Sequence, residues 1–114
     1  MTNVLDSLNW LTHREVADLL GLPQGKVRRL VEEHSLLGMK RGRDYCIPAD
    51  FLLHDEPLAG LRGTLILLLD GGFSEQEALE WLFGEDESLG ESPVSSLRRG
   101  RKTQVRHAVQ LLGL

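Results

Sequence analysis

The stretch "LGLPQGKVRRL", residues 20–30, places Lys26, Arg28 and Arg29 just after two glycines and a proline. Cations beside a glycine turn suit phosphate chemistry, and three arrangements would use them: a phosphate cradle, the reading edge of a nucleic-acid binder, or a solvated helix face. A P-loop requires two glycines with four residues between them, then Lys and a hydroxyl residue. Gly21 and Gly25 have three between them, and Val27 follows Lys26. The cradle fails on spacing.

Local charge sharpens the choice between the other two. The chain is formally −4 overall, yet residues 21–43 carry six cations (Lys26, Arg28, Arg29, Lys40, Arg41, Arg43) against Glu32 and Glu33. Residues 57–91 carry eight acids against Arg62 alone. From residue 92 onward Arg98, Arg99, Arg101, Lys102 and Arg106 meet no acid. Binding follows local potential rather than net charge, so an acidic chain with two basic islands remains a candidate for a polyanion. For the second island two uses stand level: further phosphate contact, or a helix presenting charge to a protein partner.

The elements that must hold the first island are readable. Thr12 and Glu15 form a capping-box pattern, Val16, Ala17, Leu19 and Leu20 give one apolar face, and Gly21 ends the helix. Pro23 suits the first turn of a second helix, in which Val27, Leu30 and Val31 recur at i, i+3 and i+4. "LLGMKRGRDYCIP" predicts a hairpin turning near Arg41 and Gly42, closed by Pro48. A capped helix, a glycine turn, a cationic helix and a basic hairpin make a helix-turn-helix with a wing. In that frame Lys26 and Arg28 are expected at base edges or phosphates, with Gln24 able to read adenine. Arg29, Lys40, Arg41 and Arg43 are expected on phosphates. For each cation the plain alternative is a solvated surface charge.

The segment "HDEPLAG" is expected as a linker, dividing the chain into residues 1–56, a winged helix-turn-helix, and residues 57–114, a helical C-terminal domain. "TLILLL" fits a buried strand or helix by periodicity; helix is favoured, over residues 61–70. Ser74 with Glu77 opens another helix, "GEDESLGES" is an acidic loop, Ser92-Pro93 starts a short helix, and Val105, Ala108, Val109 and Leu112 mark a last amphipathic one. The expected fold is mainly α with a small β-hairpin wing. At 114 residues and 41% hydrophobic, the chain suffices for one small domain, or two sharing a core. Trp10 and Trp81 are expected in it.

Other chemistry is thinly provided. His13, His34, His54 and His107 are dispersed and Cys46 stands alone, so neither a metal site nor a disulfide is expected. No ordering of nucleophile, base and acid suggests catalysis; the expectation is no enzyme, no cofactor and no catalytic residue. No apolar run reaches membrane-spanning length, and no signal peptide is visible. A cytoplasmic, nucleoid-associated protein is expected.

"LTHREVADLLGLPQGKVRRLVEEHSLLGMKRGRDYCIPADFL" resembles the winged helix-turn-helix of the excisionase and MerR-related group. The match lies in Ala17, Gly21, the anchors Val16, Leu20, Leu22, Val27 and Leu30, and the wing end "YCIP"; Pro23-Gln24-Gly25 departs from the usual Ser/Thr-rich helix start. "GFSEQEALEWLF" followed by "SPVSSLRRGR" resembles the C-terminal domain of a small actinobacterial DNA-binding family. A described member of that family is phosphorylated by a membrane-anchored serine/threonine kinase. The resemblance therefore implies double-stranded DNA as partner, transcription regulation, and a kinase that makes the chain a phosphoprotein. It carries no phosphoacceptor onto Thr2, whose context does not match. "LFG" and "SPVSSLRRG" are also similar to the toxin-contacting domain of some antitoxins. The competing function is thus a protein-interaction adaptor, antitoxin-like, using its C-terminal domain for a partner or a second copy. RNA binding is weaker, because stacking aromatics are scarce in the basic islands.

Overall fold

The computed structural model describes Asn3–Leu114. After a 3-10 turn at Val4–Ser7 come strand β1 (Trp10–Thr12), helices α1 (His13–Leu20) and α2 (Gln24–Glu32), and strands β2 (Met39–Arg41) and β3 (Asp44–Pro48). A two-stranded hairpin, β4 (Leu52–Leu53) and β5 (Glu56–Pro57), leads to four helices: α3 (Leu61–Asp70), α4 (Glu75–Phe83), α5 (Pro93–Arg98) and α6 (Lys102–Gln110). The fold is mainly helical, a winged helix-turn-helix followed by a helical C-terminal region. No helix among the described residues is long and apolar enough to cross a membrane.

Local sequence accounts for most helix starts. The Thr12 hydroxyl accepts from the Glu15 amide while the Glu15 carboxylate accepts from the Thr12 amide, and Ser74 and Glu77 repeat the exchange at α4. Gly21 sits in the left-handed region at φ 67°, and its amide donates to the Ala17 carbonyl, so α1 ends where the turn must begin. Pro23 stands one residue outside α2 rather than in its first turn, with an extended backbone that launches the helix. The wing is the β2–β3 hairpin, turning at Gly42 (φ 65°), and β3 lies between β1 and β2 in an antiparallel sheet.

The expected linker is instead a tight turn. Leu53 pairs with Glu56 and Leu52 with Pro57, while His54 and Asp55 both take positive φ. Polar, Pro- and Gly-rich composition signals a turn equally well in an open linker and in a two-residue hairpin.

One apolar cluster extends from Leu5 to Val109 and includes residues from every helix. Val16, Val27, Leu36, Ile47, Phe51, Leu61, Leu65 and Leu82 are completely enclosed. The Phe51 and Phe83 rings meet at 5.2 Å between centroids, joining wing end to α4. Each enclosed Leu or Phe contributes on the order of 1.5–3 kcal/mol. Trp10 and Trp81 lie only half-buried, packed against the edge of this cluster rather than inside it. Leu112 is 38% exposed, beyond the end of α6.

Candidate nucleic-acid interface

Two enclosed side chains fix α2 against its brace: Val27 of α2 and Val16 of α1, with Ala17 beside them. With that stripe inward, Gln24, Lys26, Arg28 and Arg29 are all exposed. They do not share one direction. Residues two apart on a helix project about 160° from each other, so Lys26 and Arg28 stand on opposite flanks, with Arg29 between them. Gln24 and Arg28, four apart, share a flank.

That flank forms one wall of a cleft of about 370 Å3. Thr12, His13 and Arg14 from the start of α1 form a second wall, and Asp44 and Tyr45 from β3 a third. His13 stacks on Tyr45, centroids 5.2 Å apart and planes 29° off parallel. Burial, and after it the Arg28 charge, lowers the His13 pKa below its ordinary value, leaving a neutral imidazole beside a guanidinium at neutral pH. Burial raises the Tyr45 pKa, although the Gly38 amide donates to its hydroxyl at 2.8 Å. A Cβ at Gly38 would collide with the Cys46 carbonyl and the Tyr45 ring, so glycine is needed for β2 to begin beneath Tyr45. The wing and the cleft are therefore set by one close approach.

His13, Arg14 and Tyr45 were outside the set that sequence reasoning singled out. Arg14 carried a usable signal, a cation in the first turn of the bracing helix; the ring stack of His13 on Tyr45 joins residues 32 positions apart and left none.

In the wing, Lys40 and Arg43 are exposed. Arg41 is held back: its guanidinium is 3.5 Å from the Asp6 carboxylate and 4.9 Å from the centre of the Trp10 ring. Trp10 is itself fixed by its indole N–H donating to the Leu5 carbonyl at 2.8 Å.

The second basic island is committed to the fold at Arg98 and Arg101. Arg98 donates from Nη1 to the carbonyls of Asp50 (2.9 Å) and Leu52 (2.6 Å). Arg101 and Arg99 approach the Glu91 carboxylate at 3.1 and 3.6 Å. Arg106 lies over Gly63 of α3, where a Cβ would meet its guanidinium at 2.9 Å. Lys102 is exposed, with its Cβ against Gly60.

Cys46 is buried and unpaired, and burial raises its pKa, as suits a packing residue. Among the described residues no group of three or more His, Cys, Asp and Glu could hold a metal ion. Of the threonines, Thr12 caps α1, Thr64 is fully enclosed with its hydroxyl donating to the Gly60 carbonyl, and Thr103 is exposed on α6. Thr2 lies outside the described residues.

Known proteins are similar to this chain in sequence and fold. A family model described as the winged helix-turn-helix domain of DNA-binding protein Rv2175c matches residues 1–52. A second, described as the Rv2175c C-terminal domain of unknown function, matches residues 58–113. DNA-binding protein Rv2175c of Mycobacterium tuberculosis (strain ATCC 25618 / H37Rv) is 37% identical over 75 residues, which cover 65% of this chain. The same stretch spans only about half, 51%, of that relative's length. The NMR structure of Rv2175c aligns with a TM-score of 0.78 at 28% identity, over 92% of this chain and 82% of that one. With both halves matched in order by models of one family, the chain belongs to the Rv2175c family of actinobacterial winged helix-turn-helix proteins.

Proposed function

We propose that α2 and the wing bind double-stranded DNA and that the protein regulates transcription through this contact, in the cytoplasm on the nucleoid. The observation that carries the reading is the cleft: Gln24 and Arg28 of a braced, exposed helix stand beside Arg14 and His13, and although Asp44 also lines it, Arg28 forms no ion pair among the described residues. A relative named as a DNA-binding protein supports it. Arg28 is assigned to a base edge, where an Arg paired with guanine gives about 1–3 kcal/mol of discrimination, and Gln24 to a neighbouring adenine. Lys26, Arg29, Lys40 and Arg43 position the duplex through phosphates, joined by Arg14 at the start of α1. Arg41 contributes only after giving up Asp6.

Titration of labelled genomic fragments at several salt concentrations tests this. Each neutralised phosphate adds about 0.9 to the slope of log affinity against log salt, so five or six contacts predict a slope near −5. A flat or absent response would instead favour the adaptor, in which the winged shape serves a protein partner.

A further inference from the structure

The acidic half of the chain shares no residue with the cation-bearing cleft, and it has an opening of its own. Between the α4–α5 loop and the end of α6 runs a groove of about 630 Å3. Trp81, Ala108, Leu111 and Leu112 give it an apolar floor, and Glu85, Asp86, Glu87 and Ser88 a polar wall. Leu111 is 66% exposed and Leu112 38%, clustered beside the half-buried Trp81 indole. Single exposed leucines are ordinary, but a contiguous apolar floor with a polar rim marks a binding surface.

The wall is held at Asp86, and its acids form no ion pair among the described residues. The Asp86 carboxylate accepts from the Ser88 amide at 2.9 Å, and the Asp86 amide donates to the Glu91 carbonyl at 3.1 Å, which pins the loop. The ion pairs among the described residues join Arg41 to Asp6 and Arg99 and Arg101 to Glu91; none reaches Glu85, Asp86 or Glu87. A polyanion is repelled here. A second copy packed two-fold on the groove would bring the same three acids against the same apolar floor from both sides, placing like charges together.

We propose that this groove docks a protein segment that is apolar on one face and basic on the other, an amphipathic helix whose leucine-like side chains cover Trp81 and Leu111 while its Lys or Arg residues meet Glu85 and Glu87. This is the helix-in-groove mode with a charged rim selecting the partner. It gives the C-terminal region a role separate from DNA contact.

The test titrates the isotope-labelled full chain with a synthetic 14-residue Leu/Lys amphipathic helix, and in parallel with Leu/Glu and Ser/Lys counterparts. The Leu/Lys peptide is expected to bind one-to-one and to shift the Trp81 indole signal together with amides 85–88 and 104–112, while the other two peptides do neither. Glu85→Gln/Glu87→Gln is expected to weaken binding about tenfold, with a matching sensitivity to salt. Leu111→Ser, at an exposed position, is expected to weaken it comparably without lowering Tm. Equal binding of the Ser/Lys peptide, shifts centred elsewhere, or variants that bind as wild type would overturn the proposal. So would a chain that sediments as a dimer split by Leu111→Ser, because the groove's occupant would then be a second copy.

Discussion

The two basic islands are alike in sequence and differ in how far their cations are engaged by the fold. Around α2 and the wing, Lys26, Arg28, Arg29, Lys40 and Arg43 are exposed and form no ion pair among the described residues. Around α5 and α6, Arg98 is bonded to two backbone carbonyls and Arg101 to Glu91, whereas Arg99, 3.6 Å from the same carboxylate, Lys102 and Arg106 are exposed. A guanidinium already bonded within the fold, as in Arg98 and Arg101, has fewer donors left for a phosphate. Local charge density alone therefore does not identify a nucleic-acid surface; free donors do. Substitutions in one island should move stability, and in the other, binding.

Arg98→Ala should have the largest effect. The carbonyls of Asp50 and Leu52 mark the exit from the wing, and one charged donor serves both. Losing it removes hydrogen bonds from an ionised group, a cost of about 1.5–3 kcal/mol. Thermal unfolding should show a Tm several degrees lower, with DNA affinity of the folded fraction unchanged. Arg98→Lys should recover little, because a point-charge ammonium lacks the guanidinium fork. An unaltered Tm would erase the contrast between the islands.

Arg28→Ala should do the reverse. Removal of an exposed side chain leaves stability within about 0.5 kcal/mol of wild type. If Arg28 reads a base, affinity for the cognate duplex falls by about 1–3 kcal/mol, and affinity for a scrambled duplex falls much less. Equal losses on both duplexes would make it a phosphate contact.

Glu91 tests the committed island by pH. The Ser96 hydroxyl, donating at 2.6 Å, lowers its pKa below the ordinary 4.5; burial opposes this, and the Arg99 and Arg101 guanidiniums lower it further. A carboxylate with a depressed folded pKa stabilises fully above its unfolded value and loses that contribution as pH falls through the folded one. Glu91→Gln should therefore be less stable than wild type at neutral pH, and the gap should close as pH falls below 4.5. A gap independent of pH would show that the charge is not what matters.

What the sequence disclosed follows from the range of the interactions involved. Both capping boxes join residues three apart, and the bounds of α3 lie between glycines, so these elements were legible without tertiary knowledge. The helix-turn-helix and its wing followed from apolar spacing and turn residues. Strand β1 was not anticipated, since three residues carry no periodicity and their ladder partners are Cys46, Ile47 and Pro48. The fate of each cation was equally hidden: Arg98 meets carbonyls 46 and 48 residues upstream, and Arg41 meets Asp6 35 residues away. The cleft needed the wing to bring Tyr45 onto His13.

Arg41 sits on the border between the two behaviours, and the smallest expected effect examines that border. It belongs by sequence to the free island, yet Asp6 and the Trp10 ring hold it as Glu91 holds Arg101. The ion pair is half in solvent, with side-chain exposures of 33% and 55%, so it is worth at most about 1 kcal/mol. Asp6→Asn removes the competing carboxylate while keeping the side chain's size. Stability should fall slightly, while DNA affinity should rise about two- to fivefold, the free energy of that weak pair returned to a phosphate. The gain should vanish in the Arg41→Ala background, because only a released Arg41 transmits it. If Asp6→Asn raises affinity equally without Arg41, the change reflects overall charge, and Arg41 belongs with the cations that serve the fold.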